Sequence, residues 1–132
     1  MLSISQILKL YDYQVSVKFR KKPRELKMER FEVDCFEMKA EFNNESLEII
    51  LYAPFNKTEY ERDMSLLHEF IHARDDLLKG YGNLRGHTRA EYRECADVEL
   101  EALETYKKRP YILEMIKDLY QIKARGGTRT LE

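Results

Sequence analysis

The sequence predicts an α+β fold, and three observations predict it. Apolar residues alternate with a period of two through much of residues 15–51, and recur with helical spacing before and after that stretch. Helix-start signatures precede both long periodic segments. A length of 132 residues allows one modest core and not two, so helices and strands must share it.

The elements follow in order. Leu2, Ile4, Ile7, Leu8 and Leu10 give residues 2–12 an apolar side, with Ser3 or Ser5 as the cap of an N-terminal helix. Val15, Val17 and Phe19 alternate as a strand, which Pro23 ends. Phe31, Val33 and Cys35 alternate in one phase and Phe36, Met38, Ala40 and Phe42 in the other, which predicts a bulge or two short strands. Asn43-Asn44 suits the positive φ of a hairpin turn, and Leu47, Ile49 and Leu51 return as a strand ended by Pro54. The expectation is a small antiparallel sheet of about three strands. A long helix then runs from the capping box Thr58-Glu59-Tyr60-Glu61 to Gly80. After a Gly-rich loop, Thr88-Arg89-Ala90-Glu91 caps a second long helix over about 89–107. Pro110 separates it from a C-terminal helix over 110–124, and the polar tail 125–132 is expected to be disordered. Residues 1–124 thus form a single domain.

The first long helix carries His68-Glu69-Phe70-Ile71-His72, an H-E-x-x-H pattern. Positions i and i+4 of a helix lie one above the other, so both imidazoles can grip one Zn²⁺ while Glu69 serves as general base for an attacking water. With His68 at zero on a helical wheel, Leu66, Phe70, Ala73 and Leu77 cluster at about 140–200°, and Ser65, His68, Glu69, His72, Asp75 and Asp76 gather on the other side. The motif is therefore expected at the edge of a packed helix, facing a cleft.

A catalytic zinc site takes three protein ligands and leaves one position open. Two residues compete for third place. On the second long helix the apolar arc is centred on a wheel angle of about 80°, where Glu99 sits, so Glu99 is expected on the buried face. A lone carboxylate there calls for a cation. Glu94, Glu101 and Glu104 fall on the polar side, and Glu91 closes a capping box. His87, in the loop ahead of that helix, can fold over the metal as a ligand, or serve on the substrate or oxyanion side.

Composition bounds the partners. Charged residues make up 36% of the chain but the net charge is −1, so nucleic acid is not an expected partner despite the basic run Arg20-Lys21-Lys22-Pro23-Arg24. There is no apolar run long enough for a membrane span and no signal-peptide-like stretch at Met1. Cys35 and Cys95 are isolated, as expected of reduced thiols in a cytoplasmic protein.

The motif and Glu99-Leu100-Glu101-Ala102, an E-x-x-A pattern, together resemble the gluzincin metallopeptidases, and in length and element order the minigluzincins among them. The resemblance implies a zinc-dependent endopeptidase acting on peptide or unfolded protein, with His68, His72 and Glu99 as ligands and Glu69 as base. It also implies a latent, zymogen-like form. The helix at 110–124 would cover the cleft of its own chain or swap into a homodimer. The pattern departs at Leu103, where many gluzincins place an Asp that buttresses a zinc histidine; Asp75 or Asp76 would have to take over. A second resemblance, carried by Leu66–Ala73 with Gly86-His87, is to the SprT-like proteases, and makes His87 the third ligand. A zinc-stabilised interaction module without catalysis is the remaining alternative.

Overall fold

A computed structural model describes residues 1–21, 39–79 and 89–122, with side chains from 96 onward in the last stretch. The fold is α+β: helix α1 (Ile4–Asp12), strands β1 (Ser16–Arg20), β2 (Ala40–Asn43) and β3 (Glu48–Tyr52), a 3₁₀ turn at Ala53–Phe55, then helices α2 (Glu59–Leu78), α3 (Arg89–Lys108) and α4 (Pro110–Leu119). Helix starts follow the capping chemistry. Ser3 accepts from the backbone N–H of Gln6, and Gln6 answers through its own side chain; Thr58 and Glu61 do the same for α2. Pro110 opens α4 at a position whose N–H has no intrahelical partner to lose. The stretch 31–38 and the second capping box, Thr88 with Glu91, lie outside the described residues, as do Cys35, the Cys95 side chain and the tail 125–132.

The three strands are ordered β1-β3-β2. The hairpin β2–β3 is antiparallel, with Ala40 opposite Leu51, but β1 joins the other edge of β3 in parallel, with Val17 opposite Ile49. The sheet is therefore mixed, not wholly antiparallel. Alternation tells which face of a strand is buried and carries no information about direction. In the hairpin, Asn43 Oδ1 accepts from the N–H of Glu45 at 2.9 Å and of Ser46 at 3.1 Å. The positive φ expected at Asn43-Asn44 falls instead on Leu47, whose side chain packs against the core. Left-handed backbone is uncommon for a leucine, and core packing holds it there.

Helix α2 is the centre of the domain, packed against α1, α3, β2 and β3. Leu66, Leu67, Phe70, Ile71 and Ala73 are fully buried on it. So are several polar residues, including Arg62, Asp63, Glu69, Arg74 and Asp75. The two-sided helix that the wheel suggested is thus enclosed nearly all round, and its polar positions need partners. Helix α4 buries Ile112, Leu113 and Ile116 in the same core, and its Lys117 reaches Asp63 on α2 at 3.1 Å. No helix among the described residues is long and apolar enough to cross a membrane.

Candidate metal centre

The H-E-x-x-H motif sits in the middle of α2, and the entry to that helix is pinned to the sheet. Buried Asn56 donates from Nδ2 to the carbonyls of Lys39 and Tyr52, both at 2.8 Å. Its Oδ1 accepts from Ser65 Oγ at 2.6 Å, one turn ahead of Glu69. Arg62 donates to the Asn56 and Lys57 carbonyls. These bonds tie β2, β3 and the first turns of α2 into one unit. Asn56 escapes sequence reasoning because nothing local marks it as more than a turn residue.

A second device fixes α3 against α2. Arg74, two residues beyond His72, forks onto Glu101, two residues beyond Glu99; its Nη2 reaches Glu101 Oε1 at 2.9 Å. Arg74 Nε also donates to Asp75 Oδ1 at 2.9 Å. This clamp sets the register in which Glu99 faces His68. It also corrects one sequence expectation, since Glu101 is not simply solvated. Asp75 directs its Oδ1 to Arg74, 3.6 Å from Lys79.

Within the motif the two imidazoles converge. His72 Nε2 lies 3.0 Å from His68 Nε2, with ring centroids 4.7 Å apart. Glu99 Oε2 lies 2.6 Å from His68 Nδ1, the other nitrogen of that ring. Glu99 is nevertheless 57% exposed, which corrects the buried placement expected for it. The wheel argument failed because it counted Ala96 and Leu100 as core; both are exposed, Leu100 by 66%. The packed face of α3 is the narrower stripe Val98–Ala102–Thr105. His87 lies outside the described residues.

The electrostatics divide these groups. The bond from His68 holds the Glu99 carboxyl below its ordinary range, and burial opposes this only in part. Glu99 is therefore ionised, and His68 donates to it from Nδ1. Burial, with the charge on His68 adding to it, pulls His72 down to about 4, so His72 is neutral at pH 7. Glu69 is 6% exposed and has no cation paired with it among the described residues. Burial pushes it up to about 7; His68 pulls the other way, and the charges of Glu41 and Glu99 add to the rise. Glu41 belongs to β2, which packs against α2, and accepts from the Tyr52 hydroxyl at 3.0 Å.

The imidazole pair suits one divalent cation. Two nitrogens at 2.0–2.1 Å from a tetrahedral Zn²⁺ stand about 3.3 Å apart, so the observed 3.0 Å needs only a slight opening. Among the described residues no three His, Cys, Asp or Glu side chains converge as a complete ligand set. Comparison with family models, with curated proteins and with solved structures returns no match for this chain.

Proposed function

We propose that this chain is a zinc-dependent metallopeptidase that hydrolyses peptide bonds of peptide or unfolded protein substrates in a cytoplasmic setting. One observation carries the reading: two imidazole Nε2 atoms 3.0 Å apart beside a buried carboxylate that has no Lys or Arg paired with it among the described residues. In a purely structural role such a carboxylate is a cost without a return. Beside a hydrolytic centre it is a base whose proton affinity is matched to neutral pH.

Bound Zn²⁺ supplies Lewis acidity, acidifying a water and polarising a carbonyl. The chain's own residues do the rest. His68 and His72 would hold the cation. Glu69 takes a proton from the attacking water and returns it to the departing amine. Burial raises the proton affinity of Glu69 in the metal-free chain, and a divalent cation on the neighbouring imidazoles would lower it. The family resemblance implies a latent form covered by α4, a helix that packs against α1 and α3 and whose Lys117 reaches Asp63, roughly 220° round α2 from His68.

The test is a metal and activity pair. The wild type should hold about one Zn²⁺ per chain, and His68→Ala and His72→Ala should lose it. Glu69→Gln should keep zinc and fold while losing hydrolysis of an unfolded protein substrate by about a hundredfold or more. Equal turnover by Glu69→Gln and wild type would remove Glu69 from the reaction. Loss of zinc in His87→Ala would favour the SprT-like ligand set.

A further inference from the structure

We infer that Glu99 is not a ligand of the cation but a positioning residue, which fixes the ring and tautomer of His68 from its Nδ1 side. The inference deepens the metal-site reading above and rests on it. The contact itself is short, 2.6 Å between Glu99 Oε2 and His68 Nδ1, as a charge-assisted bond should be. The two nitrogens of an imidazole project from opposite edges of the ring. A carboxylate held on Nδ1 therefore lies across the ring from any cation seated between the paired Nε2 atoms. One carboxylate cannot occupy both places at once.

The consequence is chemical. In the neutral ring, a proton committed to Nδ1 leaves the lone pair on Nε2, the nitrogen 3.0 Å from His72. That is the tautomer a cation needs, and carboxylates bonded to the far nitrogen of a ligating histidine provide it in metal sites generally. The carboxylate bonded to His68 is that of Glu99, whereas Asp75 directs its Oδ1 to Arg74 and Lys79. The Arg74–Glu101 clamp, two residues further along both helices, carries Glu99 to His68 without burying it. The coordination sphere is then completed by a donor other than Glu99.

The full chain, labelled with ¹⁵N, tests this directly, since it has only three histidines to assign. Long-range ¹H–¹⁵N correlations should show His68 as a single Nδ1–H tautomer in the wild type, with or without added Zn²⁺. Glu99→Gln keeps an acceptor oxygen. It should retain that tautomer and bind Zn²⁺ within roughly tenfold of wild type, whereas Glu99→Ala should mix tautomers and bind about 10–100-fold more weakly. The inference is overturned if wild-type His68 carries no Nδ1 proton. It is equally overturned if Glu99→Gln loses zinc as completely as His68→Ala, the behaviour of a ligand. Should the wild type bind no zinc, or His68→Ala bind it normally, the metal reading fails instead, and the wild-type tautomer still decides what Glu99 does.

Discussion

Asp63 and Glu69 lie on one helix, six residues apart, and are buried to the same degree, 5% and 6% exposed. Their surroundings differ in the charges they face. Asp63 faces Lys117, itself 5% exposed, at 3.1 Å, and Glu59 and Glu114 flank the same ammonium at 3.5 and 3.6 Å. Glu69 faces no such cation among the described residues. Burial pushes both carboxyls up, but Lys117 pulls Asp63 back, and Glu69 is left at about 7. A neutralised carboxylate in a core ties two elements together. One left uncompensated costs stability and retains the chemistry of a base.

Removing the whole α4 should break the comparison most severely. Truncation after Lys108 takes away Ile112, Leu113 and Ile116, all buried, together with Lys117. At about 1.5–3 kcal/mol for each apolar side chain, the loss rivals the roughly 5–15 kcal/mol that stabilises a typical domain. The shortened chain should show no cooperative unfolding transition by circular dichroism. A folded truncated protein with increased peptidase activity would instead make α4 the latency helix of the family resemblance.

The next effect isolates the paired carboxylate. Lys117→Met keeps the apolar stem and leaves Asp63 buried without its cation. Breaking such a pair from one side costs about 3–5 kcal/mol, read as a lower urea midpoint at pH 7. The double change Lys117→Met with Asp63→Leu should recover much of that loss, since an apolar pair of similar volume needs no compensation. Failure of the double variant to recover would mean that Asp63 is satisfied by something other than Lys117.

These two carboxylates also mark the limit of what the sequence discloses. Capping chemistry is local, so Ser3 and Thr58 were legible as the starts of α1 and α2, and the H-E-x-x-H spacing was legible as an imidazole pair. Strand positions were legible through alternation, whereas the parallel pairing of β1 depends on a crossover that periodicity does not describe. Partners far apart in the chain stayed hidden. Nothing near Asp63 announces Lys117, and nothing near Arg74 announces Glu101. Glu99 was singled out as a metal ligand from a wrong premise. The residue was expected to be buried on the core face; it reaches the motif from an exposed edge of α3, because the packed stripe is narrower than the apolar arc.

The smallest effect sharpens the contrast through pH, and its sign is fixed by two opposed shifts. In the metal-free protein Glu69 titrates at about 7, against an ordinary value of 4.5. The native state keeps its proton while the unfolded chain loses one, so stability is full below pH 4.5 and falls as pH rises to 7. The total is roughly 3 kcal/mol. His72 titrates at about 4 against 6.5. Its contribution is full above pH 6.5 and is lost as pH falls to 4, by a similar roughly 3 kcal/mol. Between pH 4.5 and 6.5 the two slopes oppose each other, and the wild type should owe little net pH dependence to this site. Each substitution unmasks the other group. Relative to wild type in chelator, Glu69→Gln should gain stability above pH 7 and weaken on acidification from 6.5 to 4. His72→Gln should strengthen on acidification from 7 to 4.5. Urea unfolding at four or five pH values measures both curves. If Glu69→Gln simply parallels the wild type at every pH, Glu69 is compensated as fully as Asp63, and the distinction between the two carboxylates of α2 disappears.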